Sequence, residues 1–229
     1  MGSLAETAGR LVAVPMGAVA RWRGRPIHPR GAVLDAVLER RGGTPPFGVP
    51  WLDQQRTDPA LVRLSRGAGL PAPLPDVLGL AIRLPAEGGS HVDLLLSTTG
   101  RGPLTRLVPV PRVDGAATHS SIMAYRSAAG PVRLAALPER AEVPTEPGAV
   151  AAGAADGTLS FTLAAAVGLG EWRPFARLRT TGPREPLDPA VRFDAVRHAP
   201  PGLSADGPMA RFREPAYAAA RLLGHPRNR

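Results

Sequence analysis

Proline and glycine interrupt this chain at short intervals, 27 and 26 times in 229 residues. Proline lacks the amide proton that a helix interior needs and clashes with the preceding turn, and glycine loses the most backbone freedom on ordering. A bundle of long helices is therefore excluded, and the chain must be built from short elements joined by turns. Apolar runs bounded by Gly or Pro occur at about 31–39, 60–65, 77–84, 91–98, 131–137, 158–167, 172–180 and 190–196, which makes eight candidate strands. "HVDLLLST" is apolar on both faces, whereas in "VRFDAV" Val191, Phe193 and Ala195 alternate with Arg192 and Asp194. Eight strands can close into a barrel just wide enough for a packed interior or one ligand. The expected fold class is α+β: a closed antiparallel eight-stranded β-barrel with a few flanking helices.

Helical patterns are expected near 4–13, 118–126 and 209–223. The last is the clearest, rich in Ala, Arg and Leu, preceded by Gly207 and Pro208 and stopped by Gly224 and Pro226. Pro215 interrupts it and suits the first position of a new helix. "LPERAEVPTEPGAVAAG" and "TTGPREPLDP" read as connections. With no internal repeat, residues 1–229 are expected to form a single domain, its barrel over about 25–198.

The formal charge is +9 and the sequence pI about 11.4, which would normally suggest an anionic partner. Yet all 28 basic residues are arginine, a bias that fits GC-rich coding. They are scattered and not interleaved with aromatic residues, so no nucleic-acid partner is expected. The absence of cysteine excludes disulfides, zinc–thiolate centres, iron–sulfur clusters and thiol nucleophiles. The apolar run from Leu11 to Ala20 is too short to span a bilayer. It has only Arg10 before it as a cationic flank, so a signal peptide is not expected. The expected location is cytoplasmic, with amphipathic membrane contact by the first 20 residues and oligomerisation left open. Nucleophile-elbow, zincin and Walker motifs do not occur, and the histidines at 28, 91, 119, 198 and 225 lack ligand-pair spacing. "TTGRGPLTR", 98–106, reads as an arginine-bearing turn after a buried strand that could cradle an anion.

Three segments do more together than apart. They are Arg25-Pro26-Ile27-His28-Pro29-Arg30-Gly31, then "LVRLS" at 61–65, then "PDVLGLAIRLP" followed by "HVDLLLSTTG". In this order the chain resembles the haem catalases, whose core reads Arg-x-x-His-Ala-Lys-Gly, Val-Arg-Phe-Ser, Asp-Pro-Arg-Gly-Phe-Ala-Val-Lys-Phe and Trp-Asp-Leu-Val-Gly-Asn-Asn-Thr-Pro. The likeness spans about residues 25–100 and lies in spacing more than identity. In the C-terminal helix, Arg213-Glu-Pro-Ala-Tyr217 matches the Arg-x-x-x-Tyr of the catalase proximal helix, here about 208–223.

The resemblance implies a small, trimmed catalase-like protein carrying haem b (iron protoporphyrin IX). It implies Tyr217 as the iron ligand, a role known for tyrosine in catalases, with Arg213 one turn away to hydrogen-bond the phenolate. Tyr125, the other tyrosine, is the alternative ligand. His28 would be the distal acid and base, Ser65 the hydroxyl that orients it, and Thr98 the residue in place of the distal Asn. Arg25, Arg63 and Arg221 would meet the haem propionates, a task suited to a planar fork of donors. Leu78 stands where the family has the Arg of Asp-Pro-Arg-Gly. The implied activity is that of a peroxidase acting on hydrogen peroxide or an organic hydroperoxide. Two other readings of the chain are a haem-free barrel that binds an apolar ligand without redox chemistry, and a phosphate-ester hydrolase.

Overall fold

The computed structural model describes residues 28–205. The expected helices near 4–13 and 209–223 lie outside them. The described chain runs β1 (Arg30–Arg40), α1 (Pro50–Asp53), β2 (Arg56–Arg66), β3 (Leu78–Pro85), β4 (His91–Thr98), β5 (His119–Ser120), β6 (Tyr125–Ser127), β7 (Gly130–Pro138), α2 (Pro147–Ala155), β8 (Ser160–Val167) and β9 (Arg173–Pro183). Strands β1, β2, β3, β4, β5, β7, β8 and β9 pair antiparallel in a closed ring, and β6 adds a short partner to β7. This is the eight-stranded barrel expected, with one strand assigned differently.

Period-2 alternation makes the barrel work. Ala32, Leu34, Ala36 and Leu38 of β1, Val62 and Leu64 of β2, Leu80, Ile82 and Leu84 of β3, and Val92, Leu94 and Leu96 of β4 belong to one buried cluster. Leu134, Phe161, Leu163 and Leu178 continue that cluster across the other half. Side chains fill the interior, the usual outcome for a ring of eight strands. Each large aliphatic so buried contributes roughly 1.5–3 kcal/mol relative to exposure.

Three sequence-based expectations are corrected. Residues 118–126 form no helix: they hold β5 and the start of β6, because His119 and Ser120 bridge β4 on one side and β7 on the other. Residues 190–196 form no strand despite their alternation. With β5 filling the gap between β4 and β7, no open edge remains for them to join. The segment 184–198 instead straps the outside of β1–β4 through single contacts. Arg184 N donates to Val33 O at 2.9 Å, Val33 N to Leu187 O at 2.7 Å, Asp194 N to an Asp93 carboxylate oxygen at 2.7 Å and Asp93 N to His198 O at 2.8 Å. Finally, the presumed connection 137–153 contains the start of α2, where Pro147 opens the helix and an Ala-rich run propagates it against β9 and β1.

Candidate functional site

The antiparallel register aligns Gly31 with Ser65, Ser65 with Gly79 and Gly79 with Ser97. The four residues form one outward row across β1–β4, opposite in pleat to the inward row that includes Leu64 and Leu80. Small side chains here are a requirement. A Cβ on Gly79 would stand 2.5 Å from His28 Cε1 and 2.9 Å from Ser65 Oγ, and one on Gly31 would meet Leu64 O at 2.7 Å and Arg63 Nη2 at 2.8 Å. The imidazole of His28 thus occupies the space that a side chain at 79 would fill.

Backbone and side-chain contacts both hold His28. Its φ of 54° is left-handed, a conformation that costs a non-glycine residue roughly 1–2 kcal/mol. Its N–H donates to Gly67 O at 2.7 Å, and its carbonyl accepts from Arg63 Nη2 at 2.9 Å. Nδ1 lies 3.0 Å from Ser65 Oγ. Ser65 Oγ also lies 3.4 Å from Gly79 O; a serine proton directed there would leave Oγ to accept from Nδ1–H and Nε2 to take up a proton. A histidine oriented in this way can accept and return a proton.

The structure therefore brings His28, Ser65 and Arg63 together. Arg63, only 6% exposed, does not present an unengaged guanidinium: Nε and Nη2 donate to the two carboxylate oxygens of Asp188 on the strap, at 2.8 and 2.9 Å. Thr98 is not brought to this row. It is fully buried, pairs with His119 across β4 and β5, and its hydroxyl accepts from Leu78 N at 3.1 Å and donates to Val110 O at 2.8 Å. The pleat decides this: one residue along a strand is the opposite face, so Ser97 and not Thr98 joins the row. Arg25, Arg213, Tyr217 and Arg221 lie outside the described residues.

Sequence reasoning missed Gly79, Ser97 and Asp188. Gly79 carried a signal, a glycine inside a buried apolar strand, which marks close approach of another group. Asp188 carried none, because its partner is 125 residues away.

Among the described residues no group of three or more His, Asp or Glu side chains could hold a metal ion; Tyr217, the iron ligand that the resemblance implies, lies outside them. Tyr125, the alternative ligand, is fully buried in the core. What the described residues bring together is an oriented imidazole and its serine, with the imidazole lying over Gly79 and the Arg63 guanidinium beside Gly31. That donor set fits the cofactor, while Arg63 is already matched by Asp188.

Two other histidine settings lie apart from the row. His119 is fully buried, with Nδ1 2.9 Å from Ala117 O, and desolvation depresses its pKa to about 4. His91 stacks on His198 with ring centroids 3.9 Å apart; burial first, and then the Arg83 charge, lower its pKa.

No family model matches the chain, and no curated protein matches it. Among solved structures, a bacterial catalase matches the fold with a TM-score of 0.58 at 12% identity, over 86% of this chain and 56% of the catalase chain. The chain thus spans a little over half the length of that protein, and what it shares with it is a catalase-like β-barrel.

Proposed function

We propose that this protein is a haem-dependent enzyme that reduces a peroxide, either hydrogen peroxide or an organic hydroperoxide, with His28 as its acid and base. The observation that carries this reading is the His28–Ser65 contact at 3.0 Å, seated over Gly79 on a barrel of catalase-like fold. When bound, haem iron supplies the electrons that cleave the O–O bond. His28 Nε2 takes the proton from one peroxide oxygen and returns it to the other, which leaves as water or alcohol; Ser65 keeps the ring in the tautomer and plane that this transfer needs. Ser97, which stands on this row in place of the expected Thr98, offers one hydroxyl rather than an amide, so it makes fewer hydrogen bonds to a second peroxide. This favours peroxidatic turnover over oxygen release. Tyr217, backed by Arg213, would hold the iron, and Arg25 and Arg221 the propionates.

The competing readings lack comparable support. An apolar ligand inside the barrel would have to displace Leu, Val, Ile and Phe side chains that already fill it. For a phosphate-ester site, Arg40 and Arg63 are matched to Asp58 and Asp188, and Arg106 and Arg133 are engaged by turn carbonyls.

Expression with ample haem, followed by hemin titration, tests the proposal. The protein is expected to show a Soret band with one haem per chain, Tyr217→Phe to lose or alter the ferric spectrum, and His28→Ala to lower dye-oxidising turnover on the order of 100-fold or more while keeping the Soret band. A colourless protein that fails to take up hemin overturns it.

A further inference from the structure

We propose that Asp188 is the positioning residue for His28: the strap over β1–β4 sets the acid–base group through a carboxylate–guanidinium–carbonyl relay. The inference rests on the functional reading of His28 above, but its geometry stands independently. His28 holds a left-handed backbone, φ 54°, and sits just before β1, outside the paired register, with its N–H donated to Gly67 O at 2.7 Å. Its carbonyl is held by Arg63 Nη2 at 2.9 Å, and that same nitrogen, with Nε, is engaged by both oxygens of Asp188. The Arg63 side chain is 7% exposed and that of Asp188 is 24% exposed. Removing the carboxylate would leave a cation buried without its partner. The guanidinium would then turn toward water and give up the His28 carbonyl.

The strap places this carboxylate accurately. Val33 N donates to Leu187 O immediately before Asp188, and Arg184 N donates to Val33 O, so the strap is pinned to β1 directly opposite Arg63, which pairs with Val33 in the ladder. The planar fork of arginine can meet a carboxylate and a carbonyl at once, whereas an ammonium on a flexible stem cannot do so in one fixed geometry. A shift of His28 by about 1 Å is enough to cost a large factor in proton transfer.

The test uses full-length holoprotein and the variants Asp188→Asn, Asp188→Glu, Arg63→Lys and Asp188→Asn/Arg63→Lys. It follows peroxidatic kcat and KM together with the imidazole NMR resonances of His28, assigned by their loss in His28→Ala. Asp188→Asn is expected to lower kcat on the order of 10-fold or more with KM within about two-fold, and to move the His28 resonances and their titration midpoint. Asp188→Glu should recover part of the rate, and the double variant should be no worse than the poorer single one. Unchanged His28 resonances and kcat in a folded Asp188→Asn protein overturn the inference, as does full additivity in the double variant. If Asp188→Asn does not fold, Asp188→Glu and Arg63→Lys carry the same readouts, and unmoved His28 resonances in both overturn it. If the unmodified protein shows no peroxidatic turnover, the functional reading fails. The resonances then decide the relay alone: moved in Asp188→Asn they support it, unmoved they overturn it.

Discussion

The two halves of the barrel treat buried cations differently. In β1–β4 three arginines meet carboxylates closely, Arg40 with Asp58 at 2.7 Å, Arg63 with Asp188 at 2.8 Å and Arg83 with Asp93 at 2.8 Å, while the fully buried Arg66 donates to Leu70 O, Leu74 O and Thr145 Oγ1 and has the Asp76 carboxylate 4.0 Å away. Around β5–β9 Arg106 and Arg133 meet backbone carbonyls. Arg106 donates to Gly102 O and Gly170 O, and Arg133 to Ile122 O and Gly168 O, with no carboxylate paired to either among the described residues. A carbonyl satisfies a donor but neutralises no charge, so desolvation lowers the pKa of both Arg106 and Arg133. The first half is organised by charge pairs that reach from strand to strand and from barrel to strap, and it carries the His28 site. The second half uses arginine to tie turns together at the seam where the ring closes.

The sharpest way to break this contrast is to strip a carboxylate from the first half. Asp58 is 2% exposed and accepts from both Arg40 and Arg56, and the Arg40 side chain is 4% exposed. Asp58→Ala is expected to cost about 3–5 kcal/mol in urea denaturation, because it leaves a buried guanidinium unpaired. A loss below about 1 kcal/mol would show that Arg40 relaxes to water and that the pair does not organise this half.

The histidines sharpen the contrast next. His91 has Asp93 3.6 Å away, while His119 has, among the described residues, the Ala117 carbonyl as its hydrogen-bond partner. A folded pKa depressed to about 4, against about 6.5 unfolded, means that the unfolded chain binds the proton more readily. His119 therefore leaves stability intact above about pH 6.5 and removes it as the pH falls toward 4, by up to about 3 kcal/mol. Thermal melting across that range should show this slope, and His119→Gln should flatten it. An equal slope in both proteins would assign the acid sensitivity to other groups.

The smallest effect belongs to the second half. Arg106 is 2% exposed, its guanidinium lies 4.3 Å over the Trp172 ring, and Nη1 is buried without a hydrogen-bond partner among the described residues. Replacing it by Met removes two hydrogen bonds to turn carbonyls that water can reach, and also removes an unneutralised buried cation. A net loss of about 1 kcal/mol is expected. A loss as large as that of Asp58→Ala would erase the distinction between the halves.

Local patterning determined most of the barrel. The alternation and Gly/Pro punctuation marked seven of the eight ring strands, and β4, His91–Thr98, matches its apolar run residue for residue, because a strand buried on one face or both writes its period into the sequence. The contact of Ser65 with His28 was implied by the resemblance to the haem catalases. Tertiary structure decided the rest. A two-residue strand such as β5 is too short to show a period; it exists because two neighbouring strands supply its hydrogen bonds. Residues 190–196 alternate as a strand would, yet with the ring closed they lie across its outside. Thr98 and Ser97 are adjacent in sequence, and only the register assigns one to the core and the other to the row beside Gly79. The link from Asp188 to Arg63 spans 125 residues, and no local pattern encodes a contact whose partners meet only once the barrel has closed and the strap has crossed it.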